Sequence, residues 1–248
     1  MTLHSRLLLE VPGIRHAFLT AAESAGRDRA GELDIKQVHG AELLALDRRR
    51  PQGRPQVDGV FTHLTGEKIA ITTADCLPLL MASRDGRFIA GVHAGWKGIA
   101  QGIVENSVRQ FVRHGIAPAD VVVAVGPHIR ACCYEVSAGF FPLLLTTPGG
   151  ALAQAHRDSL FFNAPQRPNP HSAAPREPNG LWFDLPHFCE LHLLAAGIRA
   201  GHIDWLESCT YCSPLTLGSY RRRTHYPAVK TQQISWISRD EVFCWKRS

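Results

Sequence analysis

Between Arg15 and Val92 the chain offers one short apolar stretch after another, each five or six residues long and closed by turn-forming residues. Arg15–Thr20, Leu33–Val38, Glu42–Leu46, Gly59–His63, Lys68–Thr72, Leu77–Ala82 and Arg87–Val92 all read as strands. A helical period appears only from Ile99, with apolar residues at 99, 103, 104, 108, 111 and 112. Gly115 and Pro118 end it. Val121–Val125 is apolar throughout and reads as a buried strand, and Phe140–Leu145 as a short helix. Asp184 is placed to cap a helix that runs to Gly197 and buries Leu185, Phe188, Leu191 and Leu194 or Ala195. His202–Leu206 and Gln232–Ile237 complete the strands. Strands first, few helices and no regular βαβ alternation predict an α+β fold with a mixed sheet.

Size and composition narrow the class. At 248 residues and 45% hydrophobic content the chain is long enough for one large α/β domain or two small ones, and too apolar for disorder. From about 146 to 180 the prolines 148, 165, 168, 170, 175 and 178 sit among Gly, Ser, Asn and Ala, which predicts an insertion or a mobile loop. No repeat or independent core follows it, so a single domain over 1–248 is expected. The longest apolar runs, such as Val121–Gly126, fall far short of the ~20 residues a membrane span needs. The first residues, MTLHSRLLLEVPGIRH, lack a basic region followed by a long apolar one, so no export signal is expected. The net charge of +5 is scattered, with dense clusters only at Arg48–Arg50 and Arg221–Arg223. No Lys/Arg stripe with interleaved aromatics marks a nucleic-acid surface. A small anion such as phosphate remains an open partner. Seven cysteines without an export signal fit reduced thiols in a cytoplasmic protein.

Three segments carry the candidate chemistry: Lys36-Gln37-Val38-His39-Gly40, Thr73-Ala74-Asp75-Cys76-Leu77-Pro78 and Val92-His93-Ala94-Gly95-Trp96-Lys97-Gly98. Each sets a metal ligand or nucleophile at the end of a predicted strand, where a rigid support hands over to a loop. His39, Cys76 and His93 would close three corners of a tetrahedral zinc site, the fourth left for water or substrate. The same residues would also serve as a thiolate–imidazole pair, with Cys76 as nucleophile and His93 or His39 as base. Asp75 would orient a histidine or carry a proton, or would serve only as a local cap or turn residue with neither role. Cys132-Cys133 and Cys209-x-x-Cys212 read as reduced packing cysteines, because no second Cys-x-x-Cys completes a zinc ribbon.

Gln-Val-His-Gly, Thr-Ala-Asp-Cys-Leu-Pro, Val-His-Ala-Gly-Trp-Lys-Gly, Val-Gly-Pro-His-Ile with Cys-Cys-Tyr-Glu-Val, Trp-Phe-Asp-Leu, and Cys-Thr-Tyr-Cys with Ser-Tyr-Arg-Arg follow one another in that order. From about Gln37 to Arg222 the chain thereby resembles the YfiH-type family, labelled multicopper polyphenol oxidase (laccase) and also described as purine nucleoside phosphorylase. The resemblance implies a single α+β domain with layered α/β/β/α packing and mixed β-sheets. It implies a zinc held by His39, Cys76 and His93. It also implies phosphorolysis of adenosine, inosine, guanosine and methylthioadenosine, together with adenosine deamination. A metal that acidifies its water suits deamination, and guanidinium forks suit phosphate. Arg221, Arg222 and Lys97 are the expected phosphate ligands. Two departures stand out: position 223 is Arg where the family carries an acid, and Leu217-Gly218 replaces a Phe-Phe pair.

Other readings of the same residues are a copper-dependent phenol oxidase, a metal-free Cys76–His93 hydrolase and a nucleoside-binding module without turnover. A multicopper oxidase draws on many His ligands, and the His-x-His pairs expected for its clusters are absent from the sequence.

Overall fold

The computed structural model describes residues 2–241, so Cys244 lies outside the described residues. A mixed sheet of six strands occupies the centre. Its spatial order is β11 (Ile203–Trp205), β7 (Val121–Val125), β5 (Leu77–Ser83), β6 (Ile89–Ala94), β3 (Gly59–Thr62) and β2 (Leu43–Leu46). The two outer pairs, β11 with β7 and β2 with β3, run parallel; the inner pairings are antiparallel. A second, antiparallel sheet places β12 (Gln233–Arg239) between β1 (Ile14–Phe18) and β4 (Lys68–Thr73).

The strand period of two sorts the central side chains into two apolar layers. Along β7, Val121, Val123 and Val125 face the helices, while Val122 and Ala124 face the second sheet. Along β5, Leu77, Leu79 and Met81 face one way and Leu80 and Ala82 the other. Strands covered on both faces read as continuous apolar runs, which is why β5 and β7 were legible. The helical layer contains α3 (Trp96–Ala100), α4 (Ile103–Arg113), α5 (Phe140–Leu145) and α8 (Leu185–Ala195). Asp184 caps α8 by accepting a hydrogen bond from the His187 N–H. On the far side the outer layer is reduced to α1 (Arg6–Leu9) and α2 (Ala21–Ala25), the latter started by a Thr20/Glu23 capping box. The packing is therefore α/β/β/α, in one α+β domain whose central sheet is mixed and whose second sheet is antiparallel. No helix among the described residues is long and apolar enough to cross a membrane.

Three expectations need correction. The helix expected from Ile99 is split into α3 and α4 at Gly102, whose φ of +95° is open to glycine and strained for other residues. Leu33–Val38 is not a strand; only isolated bridges, Glu32 to Lys68 and Lys36 to Gln56, tie this stretch to its neighbours. In place of a ladder, the Gln37 amide accepts from the Thr72 N–H at 2.9 Å and donates to the Thr72 carbonyl at 2.8 Å. The side chain does the pairing that the backbone leaves undone. The proline-rich segment is built rather than open through residue 162. It forms α6 (Gly150–Ala155), α7 (Arg157–Leu160) and β9 (Phe161–Phe162), because Ala153, Leu160 and Phe161 reach the core under the helices. β9 pairs with β10 (Leu181–Phe183), which also pairs with β8 (Glu135–Val136).

Two buried histidines set an acid limit on this fold. Burial pushes both His16 and His128 down to about 4. His16 accepts the Ser5 N–H through Nε2, and His128 donates from Nδ1 to the Gly126 carbonyl. In the unfolded chain both return to about 6.5. Between those values the unfolded state binds more protons, so stability is full above pH 6.5 and falls as pH drops toward 4. The slope is at most about 1.4 kcal/mol per pH unit for each residue. Urea midpoints measured at pH 7, 6 and 5 should fall steadily, and His128→Gln should flatten the fall; a midpoint independent of pH over this range would contradict the assignment.

Candidate active site

Strand register assembles the site. β5 and β6 pair with Pro78 opposite His93 and Leu77 opposite Ala94, so Cys76, just before β5, arrives beside Gly95, just after β6. β3 pairs with β6 with Gly59 opposite Val92, so Asp58 falls next to His93, whose N–H donates to the Asp58 carbonyl at 2.7 Å. The loop carrying His39 is then drawn in by the Asp58 carboxylate. This group is fully buried and accepts from the backbone N–H groups of Val38 (3.1 Å), His39 (2.9 Å) and Gly40 (2.7 Å). It also bonds His93 Nδ1 at 2.7 Å, which turns the other ring nitrogen of His93 toward Cys76.

The metal-ligating atoms of His39, Cys76 and His93 consequently lie within 4.8 Å of one another. The two imidazole rings meet edge-on, with centroids 4.7 Å apart. Gly95 makes the approach possible: a Cβ there would lie 3.0 Å from Cys76 Sγ and 3.3 Å from a His39 ring carbon. Within the site two non-glycine residues adopt a left-handed backbone, His39 at φ +61° and Asp75 at φ +101°. Such conformations cost roughly 1–3 kcal/mol each and persist where surrounding contacts fix them. Here the fixing contacts are the carboxylate bonds of Asp58 and Asp75.

Electrostatics follow from the same contacts. Burial raises the Cys76 thiol, but hydrogen bonds from His39 and His93 outweigh it and bring it down to about 7. Burial lowers His93, yet its bonds to Asp58 and Cys76 raise it to about 9. Burial opposes ionisation of Asp58, and the His93 and backbone hydrogen bonds more than offset it, so the carboxyl lies below its usual range. Two imidazoles and an acidified thiol form a donor set of the kind that binds zinc, and the carboxylate–histidine contact is the usual support of a metal-ligating imidazole. The residues present fit such an ion.

Of the readings open to Asp75, orientation of a histidine is the one the geometry does not bear out. Its carboxylate touches no histidine; Oδ1 accepts from the Thr210 hydroxyl at 2.6 Å and Oδ2 from the Arg221 N–H at 2.6 Å. Its carbonyl accepts from the Ile129 N–H. Asp75 thus ties three remote segments to the rim of the site, and histidine orientation belongs to Asp58. Asp58 escaped the sequence reading, although a carboxylate directly before the wholly apolar Gly59-Val60-Phe61 was the available signal.

A cavity of about 690 Å³ opens over the three ligands. Trp96, Tyr134 and Tyr220 provide aromatic surface, and Lys97, Arg221, Arg223 and Lys230 provide positive charge. The Arg221 guanidinium lies over the Tyr134 ring, 5.3 Å from its centroid, and donates to the Glu135 carbonyl. Arg222 does not line the cavity: its guanidinium donates to the carbonyls of Thr210, Tyr211 and Leu217. Arg223, which stands where an acid was expected, lines the cavity instead.

The fold and this cluster define a protein of the layered α/β/β/α type with a His-Cys-His centre at the ends of its central strands. The chain belongs to the multi-copper polyphenol oxidoreductase laccase family, whose sequence pattern it matches over residues 14–237. It is 30% identical over 202 residues to a purine nucleoside phosphorylase of Rickettsia conorii, covering 82% of this chain and 75% of the relative. Among solved structures it resembles YlmD from Geobacillus stearothermophilus, with a TM-score of 0.69, 26% identity and 94% of each chain covered. It also resembles YfiH from Bacillus licheniformis, with a TM-score of 0.73, 20% identity and coverage of 92% and 93%; that likeness concerns the fold.

Asp58→Asn tests the role of the buried carboxylate. Asparagine keeps the shape but turns an NH2 group toward backbone donors, and it removes the charge that supports His93. Loss of such a partner typically costs about 10–100-fold in metal affinity or activity. A competition titration with a zinc chelator should show that loss in a chain that still folds; unchanged affinity would refute the role.

Proposed function

We propose that this chain is a zinc-dependent purine nucleoside phosphorylase of the cytoplasm that also deaminates adenosine. Adenosine, inosine, guanosine and methylthioadenosine are its proposed substrates, with phosphate as co-substrate. The observation that carries the reading is one cavity with a His39–Cys76–His93 floor and a rim of four cationic side chains. The name of the Rickettsia conorii relative supports it.

His39, Cys76 and His93 would hold the zinc, which when bound supplies Lewis acidity to the substrate atoms facing the cavity floor. The protein's own residues do the rest. Trp96 offers an aromatic face on which a purine stacks, and Tyr134, whose ring carries the Arg221 guanidinium over it, adds aromatic surface beside it. Arg221, Arg223, Lys97 and Lys230 gather phosphate, the guanidinium forks matching its oxygens. Phosphorolysis forms a bond from a phosphate oxygen to the anomeric carbon while the carbon–nitrogen bond breaks, its electron pair leaving with the base. Cations fixed beside the incoming phosphate hold it for in-line attack and need no reorganisation during the reaction. Asp75 fixes Arg221 through its backbone N–H, and Arg222 fixes the Thr210–Tyr211 turn that supports Asp75.

One observation favours a second reading. The Cys76 thiol near 7, beside His93, is also the setting of a cysteine nucleophile. Such a hydrolase works without metal and without phosphate.

Purified protein supplied with inosine and phosphate should release hypoxanthine and ribose 1-phosphate, and chelation or Cys76→Ser should abolish release. Arg221→Ala should raise KM for phosphate by about tenfold or more, the cost of one charge-assisted contact of ~1.5 kcal/mol or above, with a smaller effect on KM for inosine. Turnover that ignores phosphate and survives chelation would support the hydrolase. Phenol oxidation by a copper-loaded protein would support the oxidase named by the family description.

A further inference from the structure

A second group of metal-ligating side chains sits beside the active site, on the segments that line its cavity. Four of the six described cysteines meet there: Cys132 and Cys133 from one turn, Cys209 and Cys212 from another. The turns are 77 residues apart in sequence and are joined by a short backbone bridge. The His128 N–H donates to the Ser208 carbonyl and the Thr210 N–H to the His128 carbonyl. A Cys-x-x-Cys that lacks a second copy in the sequence finds its complement in an adjacent Cys-Cys pair.

The sulfur geometry is specific. Cys132 Sγ lies 3.7 Å from Cys209 Sγ, 3.7 Å from Cys212 Sγ and 3.5 Å from Cys133 Sγ, and Cys133 Sγ lies 3.3 Å from Cys212 Sγ. All four are within 4.8 Å of one another. A tetrahedron with zinc–sulfur bonds of about 2.3 Å has sulfur–sulfur edges of about 3.8 Å. The four separations lie within about 0.5 Å of that edge, all on its short side, and leave room for a single ion among the sulfurs. They exceed by far the ~2.05 Å of a disulfide. Ordinary packing gives a different picture in the same chain: Cys189 is fully buried and joins no such cluster among the described residues. The Ser172 hydroxyl stands 3.8 Å from Cys212 Sγ, and Cys132, Cys209 and Cys212 border a separate cavity of about 710 Å³ that gives a cation access. Ligand count, spacing, an outer hydroxyl and an entry path are the features that define a metal site.

We infer that Cys132, Cys133, Cys209 and Cys212 bind one zinc ion as a structural tetrathiolate centre, distinct from the His39–Cys76–His93 site. Zinc displaces the four thiol protons to solvent and bonds four thiolates; no electron is transferred. The centre clamps two segments on which the active site rests. One carries Ile129 and Tyr134 to the cavity; the other carries Thr210, whose hydroxyl holds Asp75. This assignment is independent of the nucleoside chemistry.

The test uses full-length protein, dialysed against excess zinc and then freed of loose metal. Wild type should hold about two zinc ions per chain, and Cys76→Ser, in which the four-cysteine cluster is untouched, about one. Zinc-edge X-ray absorption of the Cys76→Ser protein should show four sulfur neighbours at about 2.3 Å. Cys209→Ser/Cys212→Ser should lose one zinc from the wild-type complement. Zinc-free Cys76→Ser protein, nitrogen or oxygen neighbours, iron in place of zinc, or an intact mass reduced by disulfide formation would each overturn the proposal. Should Cys76→Ser fail to fold, cobalt substitution in wild type decides. A tetrathiolate spectrum in addition to that of the mixed His/Cys site supports the inference, and its absence refutes it.

Discussion

A buried carboxylate organises the site. Asp58 has no solvent contact and would be intolerable there without partners, because an unpaired buried charge costs several kcal/mol. Its oxygens are supplied by three successive backbone N–H groups and one imidazole. Each partner does something for function: the N–H groups bend residues 38–40 so that His39 turns back over the strand ends, and the imidazole fixes the ring and charge of His93. Removing the carboxylate would release both histidines together. The central sheet has a part in this, since only the β3–β6 register brings Asp58 to His93.

Asp75 performs the matching task on the other wall. It follows β4 and precedes β5, and its left-handed backbone sends Cys76 one way and the carboxylate the other. Thr210, Arg221 and Ile129 then converge on it from three parts of the chain. Two short acidic anchors thus join the sheet, which is rigid through its doubly covered strands, to loops that provide aromatic surface and positive charge. The site is assembled from the ends of strands, and its selectivity resides in the loops around them.

How much of this was legible depended on whether the signal was local. β5, β6 and β7 were readable because a strand covered on both faces is apolar along nearly all of its length. His39, Cys76 and His93 were readable as chemistry-bearing residues at strand ends. Asp58 was not, because its role arises from sheet register between strands that pair across 30 residues. Arg222 was misplaced for a similar reason: nothing in Arg221-Arg222-Arg223 says which guanidinium faces the cavity, and the short helix α9 (Tyr220–His225) decides it by pointing Arg222 at the turn behind. Leu33–Val38 had the alternation of a strand, yet Gln37 took up the pairing with Thr72 by its side chain. The four-cysteine cluster was hidden because its halves are of different form, a vicinal pair and a Cys-x-x-Cys, and only the fold brings them together.

In the function proposed above, His39, Cys76 and His93 act as one zinc centre held in shape by Asp58. Anomalous diffraction from crystals of the purified protein, recorded on either side of the zinc absorption edge, addresses it most directly. A strong zinc-specific peak is expected between the two imidazoles and the Cys76 sulfur, with Asp58 still bonded to His93. A map without zinc at that position after zinc loading, or a peak that follows the copper edge instead, would contradict it.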